Sequence, residues 1–172
     1  RSSAASDVYK RQLAWGDPID FGNTAGDDAL ESLMHSIRWS AHPTPLTVTM
    51  EVTPGVEYRL QLMFHEQCCS RGFDVLVDGQ RIVDEYSPQR DQGGLNGGGR
   101  PGAAVDYDFV ARSRTVTVSL EGTDAAFPDT NPILNALTLE IDPGSSRPAE
   151  VDLSTAATTF TFTGADPGEG LD

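Results

Sequence analysis

Cys68 and Cys69 offer the most chemistry of any residues in this sequence, and their adjacency decides which chemistry. A CxxC pair would point to redox exchange or zinc, but neighbouring cysteines on a strand project to opposite faces and do not readily share one tetrahedral ion. No zinc site is assigned. With no third cysteine in the chain, an oxidising compartment lets the two sulfurs bond only to each other or between chains. Two reduced thiols stand as the alternative, because a disulfide normally wants its Cα atoms further apart. His65-Glu66 opens like a zincin helix, yet HEQCC lacks the second histidine and lies on strand periodicity. His35 lies beside a helical stripe and His42 precedes Pro43, with no Ser or Cys nucleophile signature nearby, so both read as surface or boundary residues. The segment GGLNGGGRPG (93–102) has no strand-to-helix context and reads as a long loop, not a phosphate cradle. Calcium would find hard oxygen ligands in Asp84, Glu85, Asp91 and Asp124, but no EF-hand or repeat spacing selects a set, so no cofactor is assigned. Carboxylate pairs for glycosidase work occur in any chain this acidic and decide nothing. No catalytic residue is named, and the chain is read as a non-enzyme.

The elements that would position these residues are mostly strands. Leu30, Leu33, Met34 and Ile37 follow the spacing of one helical face, and Thr24 to Asp27 gives it a capping-box start. From Leu46 the period changes to two: LTVTMEV alternates, a Thr-Pro-Gly turn follows, and Val56, Tyr58, Leu60, Leu62 and Phe64 share one strand face. Phe73, Val75 and Val77 lead into Asp78-Gly79 and then Ile82-Val83, the strongest hairpin signal in the chain. Three further alternating runs cover residues 104–110, 114–120 and 133–141. Asp106 and Asp108 alternate with Val105, Tyr107 and Phe109, which makes them a solvated strand face. About seven strands, mostly joined by hairpins, with one short helix and no repeated βα alternation, predict an all-β fold: an antiparallel jelly-roll β-sandwich.

The chain has 172 residues and a net charge of -14. Such an acidic balance repels phosphate backbones and anionic lipid, and the arginines are scattered singly, so neither nucleic acid nor a membrane is an expected partner. No apolar run approaches the roughly 20 residues of a membrane-spanning helix, so no membrane insertion is expected. Residues 2–12, SSAASDVYKRQ, look like the translation of a transposon-based sequencing adapter, so residues 1–12 are expected to lie outside the domain. The domain is placed at 13–142, a linker at 143–157 from its Pro, Gly and Ser content, and the cut start of a further β module at 158–172.

Taken in order, SIRW (36–39), YRLQLMFHE (58–66), FDVLVDG (73–79), IVDEY (82–86) and NPILNALTLEI (131–141) resemble the malectin family. Its domains carry a matching Arg-aromatic pair, a Y-x-L-x-L-x-F-A-E strand, an F-D-V-x-V-N-G hairpin and a closing strand entered by Asn-Pro. The resemblance spans about residues 13–142 and implies a galactose-binding-like jelly roll. It further implies a carbohydrate-binding module of a secreted or cell-surface, multi-domain bacterial protein, located extracellularly or in the cell envelope, with neighbouring modules of the same chain as partners. The competing reading is a structural or adhesive spacer without a dedicated small ligand. The family's opening I-N-A-G-G strand has no counterpart, so the module is expected to be a truncated, metagenomic-type fragment.

Carried over residue by residue, the family's glycan-contacting aromatics fall on Met34, Cys68 and Cys69, and its acid on Asp129. The loss of the aromatics speaks against inherited glucose-disaccharide binding, since sugar sites use rigid apolar faces beneath pyranose rings. Asp129, in FPDTNP, also has the pattern of a turn residue capping its own backbone. The expected carbohydrate-binding residues are Asp129, Tyr86, Phe127, Cys68 and Cys69, gathered where the 66–72 loop, the Gly-rich loop after Tyr86 and the 122–132 segment meet, with Tyr and Phe exposed. Trp39 is expected to seal the helix against the sandwich.

Overall fold

The computed structural model describes residues 13–16, 19–94, 102–123, 126–141 and 160–163. Expectations for residues 1–12, for most of the Gly-rich loop, for the linker and for Asp124 lie outside the described residues. In chain order the elements are β1 (Leu13–Ala14), α1 (Ala25–Met34), β2 (Ser36–Trp39), β3 (Leu46–Glu51), β4 (Glu57–Phe64), β5 (Phe73–Val77), β6 (Gln80–Tyr86), α2 (Pro88–Asp91), β7 (Ala103–Val110), β8 (Thr115–Gly122), β9 (Ile133–Leu134), β10 (Ala136–Ile141) and β11 (Phe160–Thr163).

All the strand pairs are antiparallel. A five-stranded sheet has the order β11-β3-β8-β5-β6, a three-stranded sheet the order β10-β4-β7, and a small sheet the order β1-β2-β9. The alternation explains the layers. Along β4, Tyr58, Leu60, Leu62 and Phe64 are buried in one core with Leu46, Val48 and Met50 of β3 and Val116, Val118 and Leu120 of β8. On the other face of β4, Arg59 makes two bonds to Asp108, at 2.8 and 3.0 Å, and Gln61 donates to Asp106 at 2.9 Å. The hydrogen bonds from Arg59 hold the Asp108 carboxyl below its usual range.

The expectation of mostly hairpin connections is corrected. Of the strands in the two large sheets, only β5 and β6 are neighbours both in sequence and in space; β3 and β4, joined by the Thr-Pro-Gly turn, belong to different sheets. A turn signal marks a reversal of direction but does not say whether the next strand pairs or crosses to the facing sheet.

The single helix of the sequence reading is α1, with a full capping box at Thr24 and Asp27, but its stripe stops at Met34. Leu33 is 45% exposed, and Ile37 is buried as part of β2, paired with Leu13. Ile37 and Trp39 suit a strand as well as Ile37 suits a helix, and Asn135 decides the matter. Its amide donates to the carbonyls of Met34 and Ser36 at 2.8 and 3.0 Å, ending the helix. The same side chain accepts from the His65 amide at 2.7 Å, so it breaks the expected 133–141 strand into β9 and β10. A second helix, α2, begins with Pro88 in its first turn and is too short to leave a periodic signal. Trp39 packs against the core.

The hairpin forms at Asp78-Gly79, both with positive φ, +49° and +77°. That is the two-residue turn whose twist matches the strands. Asp78 is tied to β8 by its amide on the Thr117 carbonyl and its carboxylate on the Thr117 amide, each at 2.8 Å. A Cβ at Gly79 would meet nothing within 4 Å, so only backbone conformation opposes a side chain there. Gly79→Ala is therefore expected to lower unfolding free energy by about 1 kcal/mol. Urea denaturation checks this, and an unchanged midpoint would contradict the left-handed turn.

Candidate binding site

The three connections singled out in the sequence do meet at one end of the sandwich, through buried polar groups that the sequence reading left aside. Glu66, two residues after β4, is 0% exposed, and Arg71, two residues before β5, is 4% exposed. Arg71 Nε donates to Glu66 Oε2 at 2.5 Å, and its Nη2 pairs with Asp129 Oδ2 at 3.1 Å. Its Nη1 also donates to the carbonyl of Asn131. The other Glu66 oxygen, Oε1, accepts the amides of Cys68 at 2.9 Å and Cys69 at 3.0 Å. One carboxylate thus folds the cysteine loop over itself, and one guanidinium ties that loop to the 129–131 segment. Backbone bonds complete the seam: Gly72 N–H to Asp129 O at 3.1 Å and Asp129 N–H to Ser70 O at 3.3 Å.

The third connection is joined through Gln92, which is fully buried after α2. Its Oε1 accepts the Glu66 amide at 2.9 Å, while Nε2 donates to the Glu66 carbonyl at 2.5 Å and the Gly94 carbonyl at 2.8 Å. Trp15 adds a fourth support, its indole N–H on the His65 carbonyl at 3.0 Å and its ring 6.0 Å from the Arg71 guanidinium.

Cys68 and Cys69 are joined by a disulfide, Cys68 exposed and Cys69 half-buried. Donor atoms of Glu66, Cys68 and Cys69 lie within 4.8 Å of one another. They do not make a zinc centre, because the sulfurs are bonded to each other and the Glu66 oxygens are taken by N–H donors. Among the acids considered for calcium, Asp84 pairs with Arg81 at 2.9 Å.

The expected exposure of Tyr86 and Phe127 is corrected. Tyr86 is 5% exposed, its ring 5.0 Å from Phe64 and 5.8 Å from Phe73. The cause is a bulge in β6. Val83 opposes Val75 and Tyr86 opposes Phe73, which leaves one extra residue in β6, with Glu85 at φ +48° accommodating it. Strict alternation from Val83 would have turned Tyr86 outward. Phe127, at 9% exposure, lies over the backbone of Gly72, where a Cβ would fall inside its ring. Arg90 covers the ring, its guanidinium carbon 4.5 Å from the centroid. Asp129 is partly exposed, and its carboxylate accepts the Asn131 amide at 2.8 Å, so the turn-capping role is filled together with the Arg71 pairing.

Glu66, Arg71, Arg90 and Gln92 are therefore the residues of this end that sequence reasoning missed. Glu66 had a visible signal, as an acid following an otherwise apolar core strand; Gln92 had none.

No protein-family model and no curated protein matches the sequence. Solved structures do match. The chain is similar to the ANX2 ectodomain from Arabidopsis thaliana, with TM-score 0.62 and 15% identity, covering 76% of this chain and 40% of that one. It is similar to the plant structure of FER in complex with the peptide RALF23 and LLG2, with TM-score 0.55 and 13% identity, covering 77% and 40%. A part of Bacteroides uniformis β-glucuronidase 2 is also similar, with TM-score 0.54 and 15% identity, covering 76% and 13%. The chain thus shares its fold with these ectodomains and spans about 40% of each.

Two outcomes are expected. Arg71→Met leaves the Glu66 carboxylate buried without its cation and should cost about 3–5 kcal/mol. Adding Glu66→Gln should recover part of that loss, and a double variant as unstable as the sum of the two single ones would contradict the pairing. Tyr86 gives the second. Burial first, then the nearby Asp91 carboxylate, push its phenol well above the ordinary value of 10.0. A raised folded-state pKa gives stability that is complete below the unfolded value and lost as pH rises beyond it. Tyr86→Phe should therefore lose less stability than the wild type between neutral pH and pH values above about 10. Denaturation melts across that range check it, and parallel pH profiles would contradict a buried phenol.

Proposed function

We propose that the chain is a non-catalytic binding module of a secreted or cell-surface multi-domain protein, bacterial by its sequence resemblance, which takes a carbohydrate at the end formed by residues 66–72, 87–94 and 127–131. The observation that carries this reading is the joint fixing of three loops by Glu66, Arg71 and Gln92. Loops on a rigid sandwich are where such proteins recognise partners, and loops locked in advance bind at lower entropic cost. The surface of this end is mixed: exposed Cys68, exposed Arg90 with its guanidinium over Phe127, and the partly exposed Asp129. Mixed apolar and hydrogen-bonding surface suits a sugar. Non-catalytic action is supported by Glu66 and Arg71 being spent on each other. No helix of the described residues is long and apolar enough to cross a membrane.

The spacer reading is favoured by the burial of Tyr86 and Phe127, which withdraws the aromatic platform a sugar ring prefers. The likeness to β-glucuronidase spans 13% of that enzyme and bears on the fold alone. FER is solved with a peptide and LLG2, so immobilised peptides belong beside glycans in the screen.

A glycan array followed by titration separates the readings. A glycan should bind with little dependence on salt, because few full charges are neutralised. Asp129→Asn, which keeps an acceptor for the Asn131 amide, should weaken binding about tenfold, corresponding to about 1.4 kcal/mol. No glycan bound at millimolar concentration supports the spacer; binding unchanged in Asp129→Asn places the sugar elsewhere.

A further inference from the structure

Beyond any ligand at the loop end, the opposite border of the large sheet carries a site of its own. β3 pairs with β8 on one side, Leu46 opposite Leu120, Val48 opposite Val118 and Met50 opposite Val116. Its other side is taken by β11, from far along the chain. Residues 142–159 separate β10 from β11, a stretch that could span about 60 Å when extended. Phe160–Thr163 extends this sheet at its β3 border.

The register is in phase with the layers of the sandwich. Phe160 stands opposite Met50 and Phe162 opposite Val48, both buried on the core side of β3. Thr161 stands opposite Thr49 and Thr163 opposite Thr47, in line with Thr117 and Ser119 of β8. Thr49 and Thr117 already exchange a hydroxyl contact at 3.2 Å. Directly opposed residues of an antiparallel pair share a face, so the F-T-F-T alternation repeats, position by position, the apolar and polar rows of the strand it joins. A one-residue slip would place phenylalanines in the threonine row. Vacated, β3 would present an edge of unpaired N–H and C=O groups beside a buried apolar row, which folded proteins avoid leaving open.

We propose that the outer edge of β3 is a strand-accepting site, specific for an extended segment of alternating Thr and Phe, and that its occupant is Phe160–Thr163 of the same chain, delivered across the 142–159 tether. Recognition is of the strand-addition kind: main-chain hydrogen bonds give affinity and the alternation gives register. A peptide of the same pattern therefore competes for the edge once the chain's own strand is disabled.

The test uses the full chain. A labelled peptide of residues 156–166 is titrated into the wild type and into the Phe160→Ser, Phe162→Ser double variant, with fluorescence anisotropy as the readout. The variant should bind at least about tenfold tighter than the wild type, whose edge is occupied, and a peptide with Phe and Thr exchanged at 160–163 should not bind. Hydrogen exchange on the wild type gives an arm that does not need the variant to fold: β3 amides that face away from β8 should be protected. Exchange of those amides at loop-like rates, or a folded variant without saturable peptide binding, would overturn the proposal. A wild-type dimer that dissociates in the double variant would overturn the assignment to the same chain and give the strand to a second copy.

Discussion

The loop end of this sandwich depends on one buried ion pair. Glu66 and Arg71 sit on either side of a tight connection between β4 and β5, both removed from water, so neither charge is tolerable without the other. Because the guanidinium has more donors than Glu66 can use, it reaches Asp129 and the Asn131 carbonyl as well. The requirement to satisfy a buried cation is thereby converted into a fixed geometry between segments nearly sixty residues apart in sequence. The vicinal disulfide is carried on this base, its two amides held by the carboxylate that holds the arginine.

Two other buried polar side chains do similar work. Gln92 reads both backbone groups of Glu66, and Asn135 joins the end of α1, the end of β4 and the step from β9 to β10. Each satisfies main-chain groups that the break in secondary structure would leave unpaired. The apolar core fills the space between the sheets, while these amides and the ion pair determine where strands stop and loops begin. A loop surface built this way is stiff before any ligand arrives.

Much of the fold was legible because its periodicities are strong. The alternation of Val56 to Phe64, the Asp78-Gly79 turn and the Thr24 capping box each carry a local physical signal, and each appears where expected. Pairing was not legible, because whether β3 is followed by its neighbour or by a strand of the facing sheet depends on the whole core. The meeting of the loops was legible and the contacts that join them were not. Three loops were expected together and they are together, but Tyr86 and Phe127 lie inside. The β6 bulge turned Tyr86 by one position, and no local residue type announces a bulge whose extra residue is Glu85. Arg71 looked like one scattered arginine among many, since burial and pairing over 58 residues leave no mark in a linear reading.

The claim on which the rest stands is that Arg71 holds the cysteine loop and the 129–131 segment as one unit. Site-resolved hydrogen exchange on wild type and Arg71→Met measures it most directly, at the amides of Cys68, Cys69 and Gly72, whose acceptors are Glu66 Oε1 and the Asp129 carbonyl. All three amides should lose protection together in the variant, and by more than the amides of β4 and β8, whose protection falls only with the global stability. Protection unchanged at Gly72, or lost throughout both sheets in step, would contradict the account.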